Sequence, residues 1–74
     1  MNIETRSLPH ARTIQFSRLV EGTDYDPTAL LRAAADHLAE SGDTLIGLDY
    51  EYDGQDGREY LNVTTEPERP ASLT

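Results

Sequence analysis

The chain contains no cysteine and no lysine. Without cysteine it can form neither a disulfide framework nor a thiolate metal site, and this absence fits a reducing compartment. Its N-terminal region also lacks the long apolar run of a signal peptide or a membrane anchor. We therefore expect a cytoplasmic protein without a membrane partner, located in the host cytoplasm if the chain is phage-encoded.

Basic residues are few. Six arginines stand against fourteen acidic residues, which gives a net charge of −8. Direct binding to nucleic acid depends on basic groups that displace counterions, so this composition argues against it. We expect a basic protein partner instead. Greater solubility, or adaptation to a high-salt cytoplasm, is an alternative explanation of the acidity.

Apolar residues are also scarce for a chain of 74 residues. About a dozen of them can cover one helix–sheet interface, but they cannot enclose a large substrate cavity. Because oligomerisation often supplements so small a core, a homodimer or an obligate partner is expected.

The clearest pattern is a β-hairpin over residues 44–65. Its first strand alternates apolar and acidic side chains, so that Ile46, Leu48, Tyr50 and Tyr52 face one side, while Gly47, Asp49, Glu51 and Asp53 face the other. In its second strand Leu61 and Val63 share a face, opposite Tyr60, Asn62 and Thr64. Residues 53–57 include two glycines and form the turn.

A strand and a helix precede the hairpin. Residues 11–20 alternate as a strand, and residues 21–26 form an acidic loop. Asp26 and Pro27 begin a helix that Gly42 ends. The helical period predicts an apolar stripe of Leu31, Ala34, Ala35 and Leu38, widened by Leu30.

These elements predict a small α+β domain over residues 1–65, in which one helix packs on a three- or four-stranded mixed or antiparallel sheet in the order β-α-β-β. Residues 2–7 form either a further edge strand or a frayed arm. If residues 11–20 pair in parallel with the first hairpin strand, the helix should cross over right-handed. Residues 66–74 are expected to be a disordered tail.

No catalytic or metal-binding constellation is apparent, and we expect no enzymatic activity and no cofactor. The segment from Asp49 to Gly54 resembles the start of a calcium loop, but Tyr60 occupies the twelfth position, where an EF-hand needs glutamate. His10 and His37 have no nucleophile or second ligand at a defined spacing. A small enzyme or metal protein would require these histidines and the carboxylates to converge.

The acidic residues of the hairpin and of the preceding loop are the candidate partner-binding residues: Asp49, Glu51, Asp53, Asp56, Glu59, Glu21 and Asp24, with Tyr60 as an aromatic anchor. Alternate carboxylates along a strand lie about 6–7 Å apart, close to twice the 3.4 Å charge spacing of one nucleic-acid strand. This spacing predicts an inhibitor that mimics nucleic acid. Small phage-encoded inhibitors, including anti-CRISPR proteins, share its size and acidity, although no residue motif supports the analogy.

A dimerising module, such as an antitoxin or an assembly subunit, is the alternative function. Its strand edge would pair with a second copy, through an apolar interface around Ile14, Phe16 and the hairpin edge.

Overall fold

A computed structural model describes residues 3–9 and 12–66 of the chain. The elements are β1 (Glu4–Ser7), β2 (Thr13–Leu19), α1 (Pro27–Ser41), β3 (Thr44–Asp53) and β4 (Arg58–Glu66). The strands form one antiparallel sheet in the order β1-β2-β4-β3, and α1 packs on one of its faces. The predicted α+β class, with one helix on the sheet, is confirmed.

Two open points about the sheet are settled by this order. Residues 4–7 form an edge strand, paired with β2 from Glu4 opposite Ser17 to Ser7 opposite Ile14. The strands β2 and β3 do not pair, because β4 lies between them and is antiparallel to both. Within the described sheet β2 and β3 are therefore not neighbours, and the connection from β2 to β3 through α1 passes over one intervening strand, β4.

The helix begins and ends as its sequence predicts. The carboxylate of Asp26 accepts a hydrogen bond of 3.1 Å from the amide of Ala29, which satisfies one of the free amides at the helix start. Gly42 follows the last turn with a φ of 73°, and its amide donates to the carbonyl of Leu38 at 3.0 Å. A left-handed residue at this position favours glycine, because other residues pay a steric penalty there.

The buried side of α1 is rotated from the predicted stripe. Leu30 and Ala34 are buried, whereas Leu31 is 45% exposed and Ala35 is also exposed. The core contains Leu30 and Ala34 from the helix together with Phe16, Leu61 and Val63 from the sheet. Because α1 contacts the central strands β2 and β4 more than β3, Leu31 lies beside the sheet edge and not over its centre.

The hairpin is confirmed, with one irregularity. Leu48 opposes Val63 and Tyr50 opposes Leu61, so these four side chains share the face that α1 covers. A register shift between Leu45 and Gly47 leaves Ile46 without a cross-strand partner. This β-bulge removes Ile46 from the alternation that the sequence predicts, while the alternation holds from Gly47 to Asp53.

The chain ends fall partly outside the described residues. Glu66, predicted to begin the tail, instead ends β4, while the rest of the predicted tail, residues 67–74, and His10 lie outside. Within residues 3–9 and 12–66, no helix has the length and apolar character needed to cross a membrane.

Candidate functional site

Three carboxylates of β3 lie on the face of the sheet that the helix leaves open. Asp49, Glu51 and Asp53 oppose Asn62, Tyr60 and Arg58 of β4, and all three acidic residues are exposed. We call these three acids the acidic row. Among the residues that the structure describes, none of the three belongs to an ion pair, although Asp53 accepts a hydrogen bond of 2.8 Å from the amide of Gln55. The row is therefore free to attract a cationic partner.

The centre of the open face is polar but mostly uncharged. Gln15 donates to Asn62 across β2 and β4 at 3.0 Å, and the hydroxyls of Thr13 and Thr64 lie 3.2 Å apart. These cross-strand pairs satisfy one another, as expected for neighbours on one sheet face. Of the carboxylates on this face that belong to no ion pair among the described residues, three lie on β3, at the sheet edge, and Arg6 of β1 lines the same surface cavity as Glu51 and Asp53.

At the turn end of this face, the positive charge of Arg58 is paired within the protein. Its guanidinium contacts the carboxylate of Glu4 at 2.9 Å and donates to the hydroxyl of Ser17 at 3.1 Å. Because Arg58 pairs with β1, it does not neutralise the acidic row by an ion pair.

Three further candidates, Glu21, Asp24 and Asp56, lie at the turn end of the hairpin. The amide of Val20, immediately before Glu21, donates to the carbonyl of Gly57 at 2.8 Å, which ties the β2–α1 loop to the turn. All three acids are exposed, and Asp24 lies 3.6 Å from the guanidinium of Arg18. They extend the negative surface from the acidic row around this end of the sheet.

Tyr60 lies on the open face, as its position in the strand predicts. It opposes Glu51, is half-buried, and donates its hydroxyl to the carboxylate of Asp56. This hydrogen bond is the main cause that raises the pKa of Tyr60, since a charged acceptor stabilises the neutral phenol. The ring is thus held against the acidic surface and presents only part of its area to a partner.

Glu59 does not belong to the exposed acidic surface, and its predicted placement there is wrong. It precedes Leu61 by two residues and therefore shares the helix-covered face, where its exposed fraction is 0%. There it pairs with Arg18, which lies directly opposite on β2 and is 6% exposed. Glu59 and Leu61 are two positions apart in one strand, and alternate residues of a strand share a face. This spacing was a signal in the sequence that could have revealed the buried position of Glu59.

Several groups satisfy the buried carboxylate of Glu59. It accepts hydrogen bonds from the guanidinium of Arg18, from the amide of Asp26 at 2.9 Å and from the hydroxyl of Tyr50 at 2.7 Å. Arg18 also donates to the carbonyl of Asp24 at 2.8 Å. We call Arg18, Glu59, Tyr50 and Asp26 the buried polar cluster; it fixes the loop before α1 to the sheet.

The cluster shifts the pKa values of its members in ways that follow from these contacts. Burial alone would raise the pKa of Glu59, but hydrogen bonds from Asp26, Tyr50 and Arg18 outweigh it, and the pKa is lowered. Burial, followed by the hydrogen bond to Glu59, raises the pKa of Tyr50 to about 12. The hydrogen bond to Glu59 is also the largest cause that raises the pKa of Arg18. The ion pair is therefore charged at neutral pH.

The other side of β3 carries an apolar surface. Leu48, Tyr50 and Tyr52 face the helix side but remain 52%, 42% and 42% exposed. Tyr52 packs edge-on against Tyr25, with ring centroids 5.0 Å apart. Beside it, a shallow groove of about 230 Å³ lies between α1 and β3, lined by Pro27, Leu31, Leu48, Tyr50 and Leu61. Since one helix cannot cover four strands, the edge strand keeps its apolar side partly open.

The fold accounts for the surroundings of His37 and of the segment that resembles the start of a calcium loop. His37 is half-buried and packs edge-on against Phe16, with ring centroids 6.0 Å apart. The segment from Asp49 to Gly54 is the end of a strand and the start of a hairpin turn. Within the described part of the chain, no group of three or more histidines and acids is arranged to hold a metal ion.

The described residues form a small α+β domain whose edge strand β3 has an acidic side and an apolar side. No protein-family model, no curated protein and no solved structure matches this chain.

Proposed function

We propose that this protein is a non-enzymatic binding protein that presents the acidic row of β3 to a basic, nucleic-acid-binding surface of a partner protein and occludes it. One observation carries the proposal. Asp49, Glu51 and Asp53 occupy alternate positions of one exposed edge strand, on the open face of the sheet. A regular row of carboxylates on a rigid strand is a suitable counterpart for a groove lined with basic side chains.

The spacing of the row supports mimicry of nucleic acid. Alternate residues of a strand are about 6–7 Å apart, close to twice the 3.4 Å that separates phosphates along one strand of a duplex. Glu21, Asp24 and Asp56 extend the negative surface at the turn end. Inhibitors of this kind, including phage anti-CRISPR proteins, act in the cytoplasm of the host, and we propose the same location for this protein.

A dimerising module remains the second candidate, since β3 lies at the end of the described sheet and its outer edge has no neighbouring strand there. Its predicted interface needs correction, however. Phe16 is 2% exposed beneath α1 and is not accessible to a second copy. Only the hairpin edge and Ile14, which is half-buried, remain from that prediction.

The test uses basic proteins retained on heparin, because heparin selects surfaces that bind polyanions. The immobilised chain should capture members of this fraction, and duplex DNA or RNA should displace them. Capture should weaken steeply as salt increases from about 50 to about 500 mM, since screening suppresses attraction between exposed charges.

Two charge-reversal variants make the test specific. Asp49→Lys/Glu51→Lys should abolish capture, whereas Asp36→Lys/Glu40→Lys changes the net charge equally on exposed positions of α1 and should preserve it. Capture that persists after reversal of the acidic row, or that nucleic acid does not compete with, would contradict the proposed function.

A further inference from the structure

The edge strand β3 joins three features that an added strand would use. It is ten residues long, and within the described sheet it pairs only with β4, so its outer backbone edge is open. One side carries the acidic row, and the other carries Leu48 and Tyr50 beside Leu31 of the helix. An extended segment that pairs with such an edge gains main-chain hydrogen bonds, while its alternate side chains meet the two faces.

From this geometry we infer that β3 binds an extended segment of a partner protein in which basic and apolar residues alternate. The basic side chains would lie over Asp49, Glu51 and Asp53, and the apolar ones would enter the groove beside Leu31 and Leu48. Strand addition thereby explains why both sides of β3 are exposed. The inference rests on the proposed function, since the acidic row supplies the electrostatic attraction in both, and it adds the mode of binding and the class of partner segment.

Charge complementarity favours a basic segment over a second copy of this chain as the occupant of the acidic row. Opposite residues of two paired strands lie on the same face of the sheet. Any two-fold antiparallel pairing of β3 with itself that is centred between Asp49 and Asp53 therefore places acidic residues opposite acidic residues. Like charges directly opposite one another destabilise a strand pair. A strand with arginine or lysine at these positions replaces that repulsion with attraction.

The apolar side supplies the second half of the specificity. Leu48 and Tyr50 oppose Val63 and Leu61 of β4, so they extend the core towards the edge without being covered. A valine or leucine from the added strand would bury this surface against Leu31, and apolar burial is favourable in proportion to area. A segment with basic residues on both sides would leave the groove uncovered.

The probe is a fluorescent peptide of about seven residues, with arginine and valine in alternation, which is the length of a typical strand. Its control has the same composition, with the arginines and the valines in separate blocks. Fluorescence anisotropy measures both dissociation constants. We expect the alternating peptide to bind about tenfold more tightly than the block peptide, a difference within the range of cross-strand and apolar contacts.

Variants separate the inference from the proposed function. Leu48→Thr should weaken binding of the alternating peptide about fivefold, whereas Leu19→Thr, a change at the similarly exposed end of β2, should not. Asp49→Asn/Glu51→Gln should weaken both peptides, and the helix variant Asp36→Asn/Glu40→Gln should weaken neither.

Each contrary outcome identifies what fails. Equal binding of the two peptides that depends on the acidic row, but not on Leu48, would overturn strand addition and leave the proposed function standing. Binding that does not depend on the acidic row, or no binding of either peptide, would overturn both the inference and the proposed function. A salt-resistant dimer in light scattering, which Leu48→Thr dissociates, would show that a second copy occupies the edge and would also overturn the inference.

Discussion

Substitution of Glu59 by glutamine removes one charge of the buried polar cluster with almost no change in shape. The amide oxygen of the variant can take the place of Oε2 and accept from Arg18 and from the amide of Asp26, while its NH2 group replaces Oε1 and faces the hydroxyl of Tyr50, which can turn and accept. The variant therefore loses the ion pair and leaves the buried guanidinium of Arg18 without the charge of Glu59. Glu59→Gln should strongly destabilise the fold.

The magnitude follows from burial. Breaking a buried ion pair by removal of one partner costs about 3–5 kcal/mol, and hydrogen bonds to a charged group contribute about 1.5–3 kcal/mol each. Since the glutamine keeps part of this network, we expect the free energy of unfolding to fall by about 3 kcal/mol. A domain of this size has a total of about 5–15 kcal/mol, and 1 kcal/mol shifts its Tm by about 4–8 °C. The Tm should therefore fall by at least about 12 °C.

Urea denaturation, monitored by circular dichroism, measures this loss in the free energy of unfolding. Glu51→Gln is the matched control. Glu51 is exposed on the same hairpin, and its substitution should change stability by about 0.5 kcal/mol or less. Because the pKa of Glu59 is lowered in the folded state, its contribution is present above the ordinary glutamate pKa and is lost as the pH falls through the folded value. The difference between parent and variant should be full at pH 7 and should shrink below about pH 4. A loss under about 1 kcal/mol at pH 7 would refute this account of the cluster.

Three further results are expected. Leu30→Ala should cost about 2–5 kcal/mol in urea denaturation, because its side chain is 0% exposed, whereas Leu31→Ala should cost less than about 1 kcal/mol; equal losses would contradict the rotated helix face. Gly57→Ala should cost about 1–2 kcal/mol in the same assay, because its φ is 67°, and no loss would show that the turn tolerates a side chain there. Titration followed by ultraviolet absorbance should give Tyr50 a pKa of about 12. This transition should be absent in Tyr50→Phe, and its pKa should be lower in Glu59→Gln. Because the pKa of Tyr50 in the folded protein lies above its ordinary value of 10, the contribution of Tyr50 to the stability of the fold is present below pH 10 and is lost as the pH rises towards 12. Titration of Tyr50 at its ordinary pKa would contradict its hydrogen bond to Glu59.

Strong local signals made much of the fold predictable. Asp26, Pro27 and Gly42 define the helix through caps that depend only on neighbouring backbone groups. The alternation of β3 and β4 around a glycine-containing turn defines the hairpin in the same way. The placement of Asp49, Glu51 and Asp53 on one open face followed directly from this period of two.

What the sequence could not specify depends on how one helix sits over four strands. The helical period accommodates either Leu30 or Leu31 at the centre of the buried stripe, and only the position of α1 over β2 and β4 selects Leu30. The same position leaves Leu48 and Tyr50 exposed at the edge. The bulge at Ile46 is likewise a feature of pairing with β4 and not of local alternation.

Glu59 shows a different limit. Its parity with Leu61 indicated the covered face, but an acidic residue next to an acidic turn suggests an exposed position, and burial of a carboxylate is costly unless it is paired. Arg18, its partner, is 41 positions away in the sequence. Only the pairing of β2 with β4 brings the two charges together.

Hydrogen exchange of the β3 amides, measured by NMR with and without a saturating amount of the alternating arginine–valine peptide, tests the central claim most directly. Strand addition predicts that alternate amides between Leu45 and Asp53 become protected, because those that point away from β4 gain a hydrogen-bond partner. Protection of the β4 and α1 amides should change much less. If the peptide binds and the β3 amides exchange as fast as before, the edge of β3 is not the binding site and the account is wrong.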